Sequence, residues 1–203
     1  MTVMDQKAKL LGAIAGKNRG LLAQELDRVM ILEAIAQLED ENPTPRPTAS
    51  PQLLEGNWRL LYTTSRELLG IDRIPLFQLG EIYQCIRTEN QAVYNIAEIV
   101  GLPWLEGLVC VTAQFEVVSE RRLTVKFQRS IIGLQRLLGY QSPNQMIEKL
   151  AEGQKFLPID FKIENREQEG WIDLTYLDET LRINRGNEGS VFVLTKSPHS
   201  AQG

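Results

Sequence analysis

The 203-residue sequence predicts a mainly β fold of the α+β class: an antiparallel up-and-down barrel of eight or nine strands, with two helices before it and one short helix inserted near 143–152. Three observations carry this prediction. Composition switches from helix formers to strand formers at 54–64, where Leu-Glu-Gly-Asn-Trp-Arg-Leu-Leu-Tyr-Thr-Thr opens the first strand. From there, short strand-like runs recur at 56–64, 78–87, 91–99, 107–118, 122–131, 159–165, 170–177, 180–185 and 190–195, mostly joined by turns. One helical signature interrupts them, Ser142-Pro143-Asn144-Gln145, with an N-cap serine, proline at the first helical position and glutamine closing a capping box.

Residues 1–41 form a helical segment expected to pack on the barrel. The first helix, 5–16, carries Leu10, Leu11 and Ile14 at helical spacing, and Gly16 and Gly20 bracket the turn after it. The second, 22–40, has a broad apolar stripe through Leu22, Leu26, Val29, Met30, Ile35 and Leu38. Its flanking charges are mostly acidic, which favours docking on the domain over docking on a membrane. Asn42-Pro43-Thr44-Pro45-Arg46-Pro47 forbids helix and makes 42–53 an extended connector. The barrel occupies 54–196, and 197–203, with the sole histidine His199, is a flexible tail.

Composition bounds the chemistry. Hydrophobic residues at 43% and charged residues at 24% are the globular norm, and a net charge of -4 argues against a nucleic-acid partner. No run reaches the ~20 apolar residues of a membrane-spanning helix, and the N-terminus reads as neither signal peptide nor transit peptide. Cys85 and Cys110 have no CxxC spacing or flanking histidine, so they read as reduced, partly buried thiols, and no metal site or cofactor is expected. No catalytic residue is assigned. Tyr62, Tyr83, Asp173 and Asp178 are available for acid/base work, but such groups at a barrel seam read first as hydrogen-bonded structural residues.

The connections sort into two classes if every strand reverses direction. One end collects short polar turns at 88–90, 119–122, 166–169 and 186–189. The other collects long apolar segments: Leu68, Leu69, Ile71, Ile74 and Phe77 in the first; Leu102, Trp104 and Leu105 in the second; Leu134, Leu137 and Leu138 in the third. An exposed apolar rim implies a membrane surface, a protein partner or a ligand entrance; alternatively these loops fold over one another or plug the barrel. Period-two alternation puts Trp58, Leu60, Tyr62 and Thr64 on one strand face. Trp58, Leu60 and Tyr62, with Tyr83, Tyr94, Phe115, Phe127 and Tyr176, make up the candidate lining of a lumen able to remove a lipid chain from water at about 0.8 kcal/mol per CH₂. Several of these must be ordinary core.

Gly56-Asn57-Trp58 at the head of the first strand resembles the opening strand of lipocalins. The stretch 171–194, together with Leu10-Leu11, Arg19-Gly20, Asn42-Pro43-Thr44-Pro45, 54–63 and 115–127, resembles the plastid lipid-associated proteins, or fibrillins, over nearly the whole domain. The resemblance implies a lipocalin-like barrel that binds an isoprenoid, quinone, carotenoid or other lipid without catalysis. It also implies peripheral association with thylakoids or lipid globules, on the cytoplasmic side or in a plant plastid, in support of photosynthetic-membrane maintenance. Because the similarity begins almost at Met1, the chain looks like a cyanobacterial member, with a trimmed plastid protein as the alternative. The rival readings are a filled scaffold docking through its rim and, third, an enzyme acting on a lipid. Lipocalins lay an arginine across the first-strand tryptophan. Here Leu181, Ile183 and Arg185 share one strand face, so Arg185 is expected to stack on Trp58, while Arg182 is expected to pair with Asp178 across the 178–180 turn. Both arginines either close the barrel or touch ligand.

Overall fold

The computed structural model describes residues 2–65, 78–101, 104–163 and 169–197. Helix α1 (Val3–Ile14) opens on a capping box: the Asp5 N–H donates to Thr2 Oγ1, and the Thr2 N–H donates to the Asp5 carboxylate. Helix α2 (Glu25–Asp40) buries Ile31, Ala34, Ile35 and Leu38, an i, i+3, i+4, i+7 stripe. Of the broader stripe expected from sequence, Leu22, Leu26, Val29 and Met30 remain exposed. One face of the helix suffices for docking, and its other apolar residues point away.

Nine strands follow, each within a few residues of its predicted position: β1 (Gly56–Thr63), β2 (Gln78–Arg87), β3 (Ala92–Val100), β4 (Gly107–Val117), β5 (Arg122–Leu134), β6 (Ile159–Lys162), β7 (Glu169–Leu177), β8 (Leu181–Gly186) and β9 (Val191–Lys196). Eight of them close an antiparallel barrel in the order β4-β3-β2-β1-β9-β8-β7-β5, with β5 returning to β4. The thirteen-residue β5 is the keystone. β4 takes one of its edges, and the other is divided: Arg122–Lys126 pairs with β7 and Arg129–Ile132 with β6. Since β6 and β7 both run antiparallel to β5, they run in the same direction, and the strict alternation of reversals expected from sequence fails there. The 178–180 turn therefore joins the base, and the β8–β9 turn lies at the rim, where the Thr64 N–H donates to the Val191 carbonyl at 3.1 Å.

The Pro-rich connector straps the base. Thr44 Oγ1 donates to the Leu177 carbonyl at 2.7 Å, the Leu177 N–H donates to Asn42 Oδ1 at 3.1 Å, and Thr48 Oγ1 donates to the Ser119 carbonyl at 2.9 Å. One helical turn, α3 (Pro51–Leu54), then delivers Leu54 to the floor, where its carbonyl accepts the Trp58 Nε1–H at 2.9 Å.

Three apolar clusters result. The lumen holds Leu54, Trp58, Leu60, Ile82, Val93, Phe115, Val125, Leu174 and Leu194 among others. The outer face of β1, β7, β8 and β9 packs on α1 and α2. The outer face of β2 to β5 packs under the insert formed by α4 (Gln135–Leu138) and α5 (Pro143–Ala151), whose N-cap Ser142 accepts from the Gln145 N–H. Cys85 and Cys110 lie free in that third cluster, and burial pushes both thiols up to about 12.

Four tyrosines expected to line the lumen face outward instead. A bulge between Leu60 and Tyr62 reverses the alternation, so Leu60 stays inside while Tyr62 turns to the helices. A matching irregularity between Leu174 and Tyr176 does the same on β7. Tyr83 and Tyr94 pack in the cluster under the insert, because the inward phase of β2 and β3 belongs to Ile82, Ile86, Val93 and Ala97. Trp58, Leu60, Phe115 and Phe127 do contribute to the lumenal cluster.

Candidate ligand-binding lumen

The floor is built on β1 and β8. Trp58 and Arg182 are fully buried, and the Arg182 guanidinium carbon lies 4.8 Å from the centroid of the Trp58 ring. Lys196 adds a second cation, with Nζ 5.2 Å from the same ring and donating to the Leu53 carbonyl at 3.0 Å. The expected Arg185 stack is thereby corrected. Arg182 pairs with Leu194, a lumenal residue, so β8 turns Arg182 and Asn184 inward, and Arg185 turns outward into a two-pronged bond with Glu39 of α2 at 2.7 and 2.8 Å. The expected Arg182–Asp178 pair is also absent: Asp178 receives Lys7 Nζ and the Tyr176 hydroxyl, each at 2.7 Å.

Above the tryptophan runs a polar relay. Arg182 Nη2 donates to Gln84 Oε1, and Gln84 Nε2 donates to Asn95 Oδ1 at 3.1 Å. Gln84 sits between Ile82 and Ile86, and Asn95 between Val93 and Ala97, so both share the lumenal face. Arg182 Nε, Arg182 Nη1 and Asn184 Oδ1 are buried with no hydrogen-bond partner. Burial drives the Arg182 guanidinium down, to about 9.

Toward the rim the side chains of the inner face become less buried. Val109, Phe127, Ile172 and Phe192 pack on the interior cluster yet remain partly exposed. Ile132 pairs with Val109 and Ile159 pairs with Ile132, so the same face continues onto β6, where Ile159 and Phe161 are exposed, Phe161 by 50%. The bidentate Arg129–Asp160 ion pair, at 2.7 and 2.6 Å, clasps this short strand to β5. Leu157 just before it is 78% exposed.

A family model, PAP_fibrillin, matches residues 4–195. The chain belongs to this fibrillin family. It is 36% identical to a chromoplast-specific carotenoid-associated protein of Cucumis sativus, over 96% of this chain and 68% of that protein. It is 36% identical to a chloroplastic light-induced protein of Solanum tuberosum, over 94% of this chain and 66% of that one. A chloroplastic plastid-lipid-associated protein of Citrus unshiu is 34% identical over 94% of this chain and 67% of its own length. The chain thus spans about two thirds of the length of these relatives.

In this fibrillin the motif Arg19-Gly20 forms the turn between α1 and α2, held on β1 by the Thr63 N–H donating to the Arg19 carbonyl at 2.9 Å. Of the rim residues expected from sequence, Leu68, Leu69, Ile71, Ile74, Phe77 and Leu102 lie outside the described residues. Trp104 is 72% exposed, Leu105 and Leu137 are exposed, and Leu134 is half-buried. Leu138 is buried in the insert cluster, because α4 turns it onto the barrel's outer wall. Tyr94 lines an outer cleft of about 500 Å³ with Thr112, Arg129 and Leu150.

Sequence reasoning missed two groups. Leu157, Ile159 and Phe161 were legible as a period-two apolar run within 157–161. Gln84 and Asn95 were legible as polar residues standing where the alternation calls for apolar ones, whereas Asn184 shares the polar phase of Arg182 and carried no such signal.

Proposed function

We propose that this fibrillin holds a lipid-type hydrophobic molecule in the upper lumen without transforming it, and rests peripherally on a lipid surface. The observation that supports this reading is the gradient along the lumen: a buried floor at Trp58 and Phe115, partly exposed walls at Val109, Ile172 and Phe192, then an exposed apolar lip at Ile132, Ile159 and Phe161. Walls of this kind take an apolar chain, and the lip continues them toward its source. The relatives' names, carotenoid-associated and plastid-lipid-associated, favour an isoprenoid, quinone, carotenoid or other lipid, and a plastid membrane or lipid globule as the setting. Support of photosynthetic-membrane maintenance follows from that setting.

Binding rather than catalysis fits the chemistry. Among the described residues no three His, Cys, Asp or Glu side chains cluster as a metal site, and Tyr62 and Tyr83, with hydroxyls pushed above their ordinary value by burial, face away from the lumen. For surface contact, no described helix is long and apolar enough to cross a membrane, while Trp104, Leu105, Leu137, Leu157 and Phe161 are exposed near the rim. Inserting Phe161 and Leu157 into lipid contributes about 2 kcal/mol each.

The experiment is organic extraction of the purified native protein with mass analysis, followed by tryptophan-fluorescence titration of the stripped protein with a quinone and a carotenoid. Extracted lipid, and saturable titration abolished by Val109→Trp, support the reading. No extractable lipid and no titration overturn it. The filled lower lumen favours one alternative, a scaffold, which would float with liposomes yet carry nothing inside.

A further inference from the structure

The inner wall of the barrel is electrostatically one-sided. Its polar members among the described residues are Thr63, Gln84, Asn95, Ser130, Arg182, Asn184 and Lys196, and no Asp or Glu shares their face. The acidic residues on the same strands lie on the opposite phase: Glu81 pairs with Arg59, Glu98 accepts from Tyr140, and Asp173 holds Arg122. Two cations converge on Trp58, and Arg182, fully buried, has two N–H positions with no acceptor. A buried guanidinium without a counter-charge is costly unless something supplies the missing acceptors.

The groups left over around it mostly want an acceptor. Asn95 has its oxygen occupied by Gln84, which leaves its NH₂ group to donate into the lumen. Asn184, the next inward residue on β8, has an unpartnered oxygen, and a half-turn about its terminal torsion presents its NH₂ group instead. Gln84 and Asn95 point inward and are partly exposed, in contrast to the fully buried Arg182 beneath them. Beyond, the described residues on this face are mostly apolar as far as the lip, Val109, Phe127, Ile132, Ile172 and Phe192, with Ser130 the polar exception beside Phe161.

We propose that the floor receives the carboxylate head of a single-chain amphiphile, held by Arg182, Asn95 and Asn184, with its hydrocarbon tail rising along Val109, Phe127 and Phe192 to the lip at Ile159 and Phe161. This deepens the lumenal binding proposed above and rests on it. A carboxylate matches the surplus of donors and neutralises the buried charge; an alcohol or ester of the same chain does neither.

The test is competition for the lumen between oleate, oleyl alcohol, methyl oleate and oleyl phosphate, each below its micelle concentration, displacing a fluorescent apolar probe from the full chain. Oleate should bind at least tenfold more tightly than the alcohol and the ester, and more tightly than the phosphate. Arg182→Met should erase that preference, and Asn184→Leu and Asn95→Leu should each reduce it at least threefold with alcohol affinity unchanged. The two asparagine variants keep the test open if Arg182→Met fails to fold. Equal affinity for oleate and the alcohol, or tighter binding of the phosphate, overturns the carboxylate assignment and leaves lumenal binding standing. Failure of all four to displace the probe overturns both.

Discussion

Arg182 and Trp58 are stacked at the closed end of the barrel, 4.8 Å from guanidinium carbon to ring centroid, and the same indole donates its N–H to the Leu54 carbonyl at 2.9 Å. The ring thus ties β8, β1 and the strap beneath the barrel into one floor. Trp58→Phe, which loses the hydrogen bond and weakens the cation–π contact, should lower unfolding free energy by about 2 kcal/mol. Arg182→Met keeps the volume and removes a buried charge, so urea melts should place it within about 1 kcal/mol of the parent. A larger loss for the arginine than for the tryptophan would contradict this order.

Asp178 fastens α1 to the base. Burial raises its carboxyl, but Lys7, Tyr176 and the N–H groups of Thr180 and Leu181 all donate to it and bring it from 3.8 down to about 2. Because the folded value is depressed, the stabilisation is fully present above about pH 4 and is lost as pH falls toward 2. Asp178→Asn should cost about 2 kcal/mol at pH 7 and only ~0.4 kcal/mol at pH 2, where the folded carboxyl is half protonated. Parallel denaturation curves at the two pH values check it.

Gly20 marks the place where the helical turn meets β1. Its φ of +110° is a conformation side chains avoid, and a Cβ there would lie 2.5 Å from the Thr63 carbonyl oxygen. Gly20→Ala should therefore destabilise the protein by about 3 kcal/mol, whereas Gly12→Ala, with open space around it, should stabilise α1 slightly. Thermal melts of the two variants give the comparison.

Arg129 holds the lip. It clasps Asp160 with two bonds and donates to the Gln154 carbonyl at 2.7 Å, with its guanidinium carbon 5.7 Å from the Phe156 ring. Arg129→Met should raise hydrogen exchange at Ile159 to Lys162 at least tenfold while amides of β1 and β8 keep their protection. Uniform exchange across the barrel would show that the clasp is global rather than local.

The strands were legible because most are apolar, strand-forming runs ended by turn residues, and the N-cap Ser142 with Pro143 placed α5 directly, although the expected capping box is not closed: Gln145 Oε1 accepts from the Gln141 N–H at 3.1 Å instead. The inside and outside of the barrel were not. Both walls are covered, by α1 and α2 on one side and by the insert on another, so Tyr62 and Trp58 look equally buried in the sequence. A single extra residue after Leu60 then exchanges the faces without disturbing hydrophobicity. Arg185 was favoured over Arg182 because it shares a phase with Leu181 and Ile183; those apolar neighbours face the helices, whose surface is as greasy as the lumen. The common direction of β6 and β7 was equally hidden, since nothing in their composition records that both lie along one edge of β5.

That shared edge has a mechanical meaning. The lower hoop is continuous through the pairing of Arg122–Lys126 with β7, whereas above it the wall ends in β6, which among the described residues pairs with β5 alone. The circumference at the mouth is consequently free to dilate by peeling four residues while every ladder of the lower hoop stays zipped. A waist sewn into the sheet on both sides and a collar strand held by a single ladder give the two ends of the cylinder unequal local stability.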